Sequence, residues 1–211
     1  MLDFNKNEPT FFITYKKKNR PHSYQNDCDD YVLRNELRGS MITEQNNQCF
    51  YCEKKIENGS NKIHLDHIKQ RDAFHALECD YNNMVLSCNG GKKEEHCGKY
   101  KDKQESWNDD KFLRILPQNI QLQEKASDFF NYISNGKIQP KQSLSSDEKT
   151  RANNTIDYLM LNHRNLVEAR KSLFFQLELY RREGYDTTHI FSFFQEFQSI
   201  FEIKGTGNLN G

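Results

Sequence analysis

The sequence predicts an α+β chain: a small metal-stapled core of two short strands and a helix, followed by a mostly helical C-terminal half. Three observations carry that prediction. Cys49-x-x-Cys52 on one side, and Cys88 with Cys97 on the other, bracket the middle of the chain. Inside the bracket, Ile63 to Ile68 and Met84 to Leu86 have the short apolar character of strands. After Lys103, apolar residues recur at the three- and four-residue spacing of helices.

The chain has 211 residues, enough for one domain with a real core or a small stapled domain plus a helical one. With 35% hydrophobic residues and a mean hydropathy of -0.97, the core is thin, so a metal or a partner surface is expected to complete it. The 15 Phe and 10 Tyr exclude a disordered composition. Net charge is zero, so a nucleic-acid partner would have to be met by local basic runs. Two such runs exist: Lys16-Lys17-Lys18-Asn19-Arg20, and Lys92-Lys93 through Lys99, Lys101 and Lys103. Overall neutrality argues against tight unassisted DNA binding. Asp3, Lys6 and Glu8 interrupt the opening residues, so no secretory leader is expected, and no apolar run approaches the roughly 18 residues of a membrane span. The expected compartment is the reducing cytoplasm, where paired cysteines hold metal more often than they form disulfides.

In chain order, Thr10 to Tyr15 reads as a short strand or an anchored extended arm. Tyr31, Leu33, Leu37, Met41 and Gln45 predict a helix leading into the first cysteine pair. Cys49 and Cys52 sit on a knuckle, followed by a turn ending at Asn58-Gly59. Four thiolates from Cys49, Cys52, Cys88 and Cys97 can close a tetrahedral zinc site, which leaves Cys28 and Cys79 as ordinary buried thiols. Leu122, Ala126, Phe129-Phe130 and Ile133 predict a helix ending at Asn135-Gly136. Ser143 to Asp147 reads as a polar linker. One long amphipathic helix then runs from Ile156 to Tyr180, stopped by Gly184, with His163 a core histidine on its apolar face. A last, Phe-rich helix is predicted from His189 to Ile203, apolar on enough of its surface to need a partner. The predicted divisions are an arm with lead-in helix (1–45), the zinc-bound core (46–104), a helical partner-docking region (105–204) and a flexible tail (205–211).

The chemistry lies inside the bracket. Asp66 offers a hard oxygen ligand for Mg²⁺ or Mn²⁺. His67, neutral near pH 7, can take a proton from an attacking water. Adjacent strand residues point to opposite faces, so a bend or strand end must bring both to one phosphate. The Asn83 amide would fasten the loop that carries His67. His64 flanks the strand, and His75 either points into the site or packs on the loop. His96, next to Cys97, is either a second ligand for the catalytic ion or a neighbour of the zinc site. These residues predict metal-dependent phosphodiester hydrolysis on DNA, with RNA such as tRNA cut by the same site if presented. A non-catalytic zinc-binding adaptor is the competing class.

Cys49-Phe-Tyr-Cys-Glu53, Leu65-Asp66-His67-Ile68-Lys69, Asn83-Met-Val-Leu-Ser-Cys88-Asn-Gly and His96-Cys97-Gly98 resemble the HNH endonucleases of Septu and retron-associated anti-phage defence systems, the PtuB-like proteins. The likeness extends to Lys6-Asn-Glu-Pro9, Glu44-Gln45, Phe130-Asn-Tyr132, Gly136-Lys-Ile138 and Thr155-Ile156 through Leu161-Asn162 with Arg170. The resemblance implies a zinc-stapled ββα-metal (HNH, treble-clef-like) fold and a nuclease effector held by an ABC/SMC-like ATPase partner. It implies His67 as general base, Asp66 as metal ligand, Asn83 as the middle Asn, and the four bracket cysteines as zinc ligands. One position departs: the broad pattern has a ligating His or Asn directly after the last Cys, and here that residue is Gly98. Either His96, or a residue outside the motif such as Asp80, replaces it, or the ion relies on fewer protein ligands.

Overall fold

The computed structural model describes residues 1, 6–57, 63–90, 95–116 and 124–184. The Asn58-Gly59 turn, Lys92-Lys93, the Phe-rich helix over 189–203 and the tail 205–211 lie outside the described residues. Among those described, the chain is α+β, with six α-helices and two two-stranded antiparallel sheets.

Helix α1 spans Thr10–Asn19 and corrects the expected strand. Phe11-Phe12-Ile13 looks like a strand run, but Phe12 and Tyr15 share one helix face, and Phe12 is buried beside the Tyr81 ring at 6.2 Å. Lys16, Lys17 and Lys18 fall in the last turn, where positive charge meets the helix dipole. A single π-type turn, Tyr24–Cys28, leads to helix α2, Tyr31–Glu44. The α2 prediction holds: Asp30 caps its first turn by accepting from the Val32 and Leu33 amides, and Leu33, Leu37 and Met41 bury one face.

Strand β1 (Ile63–His67) pairs antiparallel with β2 (Met84–Cys88), from Ile63 opposite Cys88 to His67 opposite Met84. The end of α2 fastens this hairpin through one side chain. The Gln45 amide accepts from Leu86 N–H at 2.7 Å and donates to the Leu86 carbonyl at 2.9 Å, so it pairs with β2 as a neighbouring strand residue would. The cysteine knuckle joins the same strand, with Phe50 N–H donating to the Leu86 carbonyl at 3.0 Å. A short helix α3, Gly98–Lys101, follows the hairpin.

The C-terminal half differs from expectation in two places. The helix expected up to Asn135-Gly136 is a single turn, α4 (Ala126–Phe129), that runs straight into strand β3 (Phe130–Tyr132). Asn135-Gly136 then makes a tight turn, Gly136 taking φ 83°, and β4 (Ile138–Pro140) returns beside β3. Asn-Gly is a hairpin signal as well as a helix stop, and the alternation of buried Phe130 and Tyr132 decides for strand. The expected long helix is two. Helix α5 covers Ser146–Tyr158, opened by a reciprocal capping box between Ser145 and Glu148 in what read as a linker. Met160 adopts a left-handed conformation (φ 51°), and helix α6 restarts at Arg164 and runs to Arg182. His163 is not a core residue: it is the N-cap of α6, its side chain accepting from Asn165 N–H at 3.3 Å.

The break between α5 and α6 has structural work to do. Asn162 accepts from Ile138 N–H at 2.8 Å and donates to the Ile138 carbonyl at 2.9 Å, closing the open edge of β4. The buried Arg170 guanidinium donates to the Leu161 carbonyl at 2.7 Å. Trp107, Phe112 and Tyr158 pack ring on ring within the C-terminal half, and across the two halves Cys97 N–H donates to the Leu159 carbonyl at 2.8 Å. Cys97 is thus tied to the end of α5.

Candidate active site

Cys49, Cys52, Cys88 and Cys97 converge with all four sulfurs within 4.8 Å of one another, each buried. A tetrahedral ion with Zn–S bonds of about 2.3 Å places its sulfurs about 3.8 Å apart, and Cys52 to Cys88 is 3.6 Å. Cys88 N–H donates to the Cys49 sulfur at 3.3 Å, as a metal knuckle requires. Burial opposes ionising Cys49, but hydrogen bonds from Cys52, Cys88 and Cys97 hold its thiol well below the ordinary value. Cys88, donating to Cys49, and the buried Cys97 are pushed up. The group therefore has the sulfurs, spacing and shared negative charge to hold a structural zinc ion. His96 belongs to this side: its Nδ1 lies 3.0 Å from Cys97 Sγ and 3.7 Å from Cys88 Sγ, and its ring faces His163. The structure does not bring it to Asp66.

A second group, His64, Asp66 and Asp102, has its ligand atoms within 4.8 Å of one another. His64 and Asp66 are two apart on β1 and so share a face; Asp102 arrives at the end of α3. Sequence reasoning gave His64 no role, although its i, i+2 relation to Asp66 was a readable signal. Asp102 has none, since only the fold brings it there. Neighbours orient the ligands. His64 Nδ1 meets Asn89 Oδ1 at 2.6 Å, so Nδ1 carries the proton and Nε2 keeps its lone pair. That Nε2 is buried without a hydrogen-bond partner, 3.7 Å from Asp66 Oδ1. Gly98 is required here: a Cβ on it would stand 2.8 Å from His64 Nε2 and 2.9 Å from Asp66 Cγ.

Asp66 is buried, accepts from the Tyr51 hydroxyl, and lies 3.3 Å from the Lys101 ammonium. Burial works against its ionisation, yet the Lys101 ammonium outweighs that and holds its carboxyl at about 2. Lys101 was read as part of a basic surface run; it is fully buried, donating also to Asp102 at 2.8 Å and to the His67 carbonyl at 2.9 Å. Lys103 of the same run pairs with Glu95, and Lys16 of the N-terminal run with Glu8.

His67 ends β1 and turns the other way. Its Nε2 meets the Glu78 carbonyl at 2.9 Å, so Nε2 donates and Nδ1 keeps a free lone pair. Tyr24 packs edge-on against the ring at 4.7 Å. Burial lowers the imidazole to about 4, keeping it neutral near pH 7. Asn83 does not touch this ring. Its Oδ1 accepts from Lys69 N–H at 2.8 Å, and its Nδ2 donates to the Lys69 and Leu77 carbonyls at 3.0 and 3.2 Å, closing the loop after His67. Asp80 caps the turn before Asn83 by accepting from Asn82 N–H. His75 lies at the surface, paired with Glu78.

Asp66, His67 and Asp102 line one cleft of about 530 Å³, whose rim includes Gln70, Arg71 and Gln104. A neutral imidazole and two carboxylates on one open, polar cleft, with His64 beside the carboxylates, are groups that can bind a cation and take a proton from a water.

No family model matches the chain. Over 139 residues it is 30% identical to a protein of Vibrio cholerae serotype O1 biovar El Tor named as the candidate HNH endonuclease of retron Vc95, a match covering 64% of this chain and 62% of that protein. Over 103 residues it is 24% identical to the Septu protein PtuB of Bacillus thuringiensis, covering 48% of this chain and 35% of that one. The matches span less than two thirds of either relative's length. Both bear out the resemblance read from the sequence, at modest identity, to the HNH proteins of retron and Septu systems.

Proposed function

We propose that this relative of the retron and Septu HNH proteins is a divalent-metal-dependent endonuclease of the ββα-metal type, hydrolysing phosphodiester bonds in DNA. The observation that carries this reading is the pairing on one cleft of His67, with Nδ1 free, and the Asp66 and Asp102 carboxylates, which His64 joins as a third ligand within 4.8 Å. His64, Asp66 and Asp102 would hold Mg²⁺ or Mn²⁺; two carboxylates and an oriented, unpartnered imidazole nitrogen fit such an ion. His64 thereby supplies the ligand for which His96 or Asp80 had been expected, and Gly98 leaves it the room. The ion supplies charge stabilisation at the phosphate and the leaving oxygen.

His67 Nδ1 removes the proton from the attacking water, while the Glu78 carbonyl holds the ring by its other nitrogen. Asn83 is a positioning residue, fixing the loop that follows His67. The fixed charge of Lys101 keeps Asp66 ionised. Cys49, Cys52, Cys88 and Cys97 hold a structural zinc ion that takes no part in the reaction, because four thiolates close its coordination sphere.

The biological reading is the nuclease effector of an anti-phage defence complex with an ATPase partner. It is supported by the relatives' names and by the solvent-facing Phe175, Leu179 and Tyr180 on α6, which offer that partner an apolar surface.

Plasmid DNA and bulk tRNA, offered with Mg²⁺ or Mn²⁺ with and without a co-purified partner, test the reading. The zinc-loaded wild type is expected to cut DNA, and His67→Ala to lose about 10²–10⁴-fold of that rate with zinc retained. Equal cutting by the variant, or no cutting of either nucleic acid with the partner present, would remove the catalytic reading.

A further inference from the structure

Cys28 and Cys79, the two cysteines beyond the set of four, were expected to be ordinary buried thiols. The structure instead places their sulfurs 3.1 Å apart. Cys28 closes the π-type turn Tyr24–Cys28, and Cys79 lies in the loop that leads to Asn83. Both segments wall His67. The ring of Tyr24 packs on the imidazole, the carbonyl of Glu78 accepts from it, and Tyr24 N–H donates to the Glu78 carboxylate at 2.9 Å. The two thiols therefore lie one on each of the two segments that enclose the proposed general base.

We propose that Cys28 and Cys79 form a peroxide-oxidisable thiol pair whose disulfide staples the two segments enclosing His67. Cys28 is fully buried and Cys79 half-buried, so an oxidant reaches Cys79 first. The hydrogen bond from Cys28 holds the Cys79 thiol below its ordinary value and pushes Cys28 up, which makes Cys79 the nucleophile and Cys28 the proton holder. Lys16 favours thiolate at the pair; Asp27 opposes it at both sulfurs and Glu78 at Cys79.

The chemistry balances in two steps. Cys79 thiolate attacks one oxygen of hydrogen peroxide, forming a sulfenic acid and, with one proton, releasing water. Cys28 sulfur then attacks the sulfenic sulfur, forming the disulfide and releasing a second water. One peroxide is reduced and two thiols are oxidised. The sulfurs have about 1 Å left to travel to a bond of about 2.05 Å, so the two walls need only a small movement. Nothing in this chemistry depends on catalysis of phosphodiester cleavage.

The test treats the zinc-loaded full chain with hydrogen peroxide, blocks remaining thiols by alkylation, and maps peptides by mass spectrometry without reduction. Zinc content is read in parallel. The expected first product links the Cys28 and Cys79 peptides, reverses with dithiothreitol, and forms while zinc stays bound. In Cys28→Ser the link is absent and Cys79 is trapped by dimedone as its sulfenic acid; in Cys79→Ser neither product forms at Cys28. If Cys28 and Cys79 both stay alkylatable while zinc is released, or if either links to a bracket cysteine instead, the proposal is overturned.

Discussion

The two hairpins of this chain are built alike and held differently. Each is short, and each has an edge closed by one side-chain amide that bonds both the N–H and the carbonyl of a single strand residue: Gln45 on Leu86 of β2, Asn162 on Ile138 of β4. Around β1–β2, a four-sulfur group adds to an apolar core of Met41, Phe50, Ile68, Met84, Val85 and Leu86. Around β3–β4, the load is carried by the capping box of α5, the buried Arg170 and the ring cluster of Trp107, Phe112 and Tyr158. Among the packed residues of the first hairpin, β1 carries His64, Asp66 and His67, and α3 ends at Asp102 beside them.

The largest effect should separate the two regions. Cys97→Ala removes one of the four sulfurs proposed to hold zinc; structural zinc is worth on the order of 10–16 kcal/mol, as large as the whole stability of a typical domain. Zinc content should fall to background and the β1–β2 region should lose its protection from hydrogen exchange first. Retention of a full zinc complement by Cys97→Ala would contradict the four-sulfur site.

Asn162→Ala probes the other hairpin. It leaves the Ile138 N–H and carbonyl without their partner, and each buried unsatisfied group costs about 1–3 kcal/mol. Thermal denaturation should shift down accordingly while zinc content stays at the wild-type level. A matching loss of zinc would show that the two regions are not separately held. The smallest effect belongs to Ser145→Ala, which removes the capping box at a cost of about 1 kcal/mol and should lower Tm by about 2–4 °C.

The same contrast governs what could be read beforehand. The four-cysteine group, β1, β2 and α2 were legible because their signals are local: cysteine spacing, strand runs, and apolar residues on one helix face behind Asp30. Helix α1 was missed because Phe11-Phe12-Ile13 is a contiguous apolar run, and its helical face shows only when Phe12 and Tyr15 are paired. The break at Met160 was missed because apolar spacing continues through it; only the left-handed Met160 and the Asn162 bonds to β4 reveal it. In the site, Asp66 and His67 are adjacent and stood out, whereas Asp102 and Lys101 reach them through the placement of α3, which no spacing rule encodes. His96 was weighed as an ion ligand from its place beside Cys97, and that same place keeps it against the sulfurs.

The central claim is that the chain holds two metals for two purposes, zinc for the fold and a second ion at His64, Asp66 and Asp102 for the reaction. The most direct measurement is Mn²⁺ binding to zinc-loaded protein by electron paramagnetic resonance, in the wild type and in Asp66→Asn, with zinc quantified in both. The account predicts one Mn²⁺ bound by the wild type and lost in Asp66→Asn while zinc content is unchanged. Mn²⁺ bound equally by both proteins, or displaced only when zinc is lost, would contradict it.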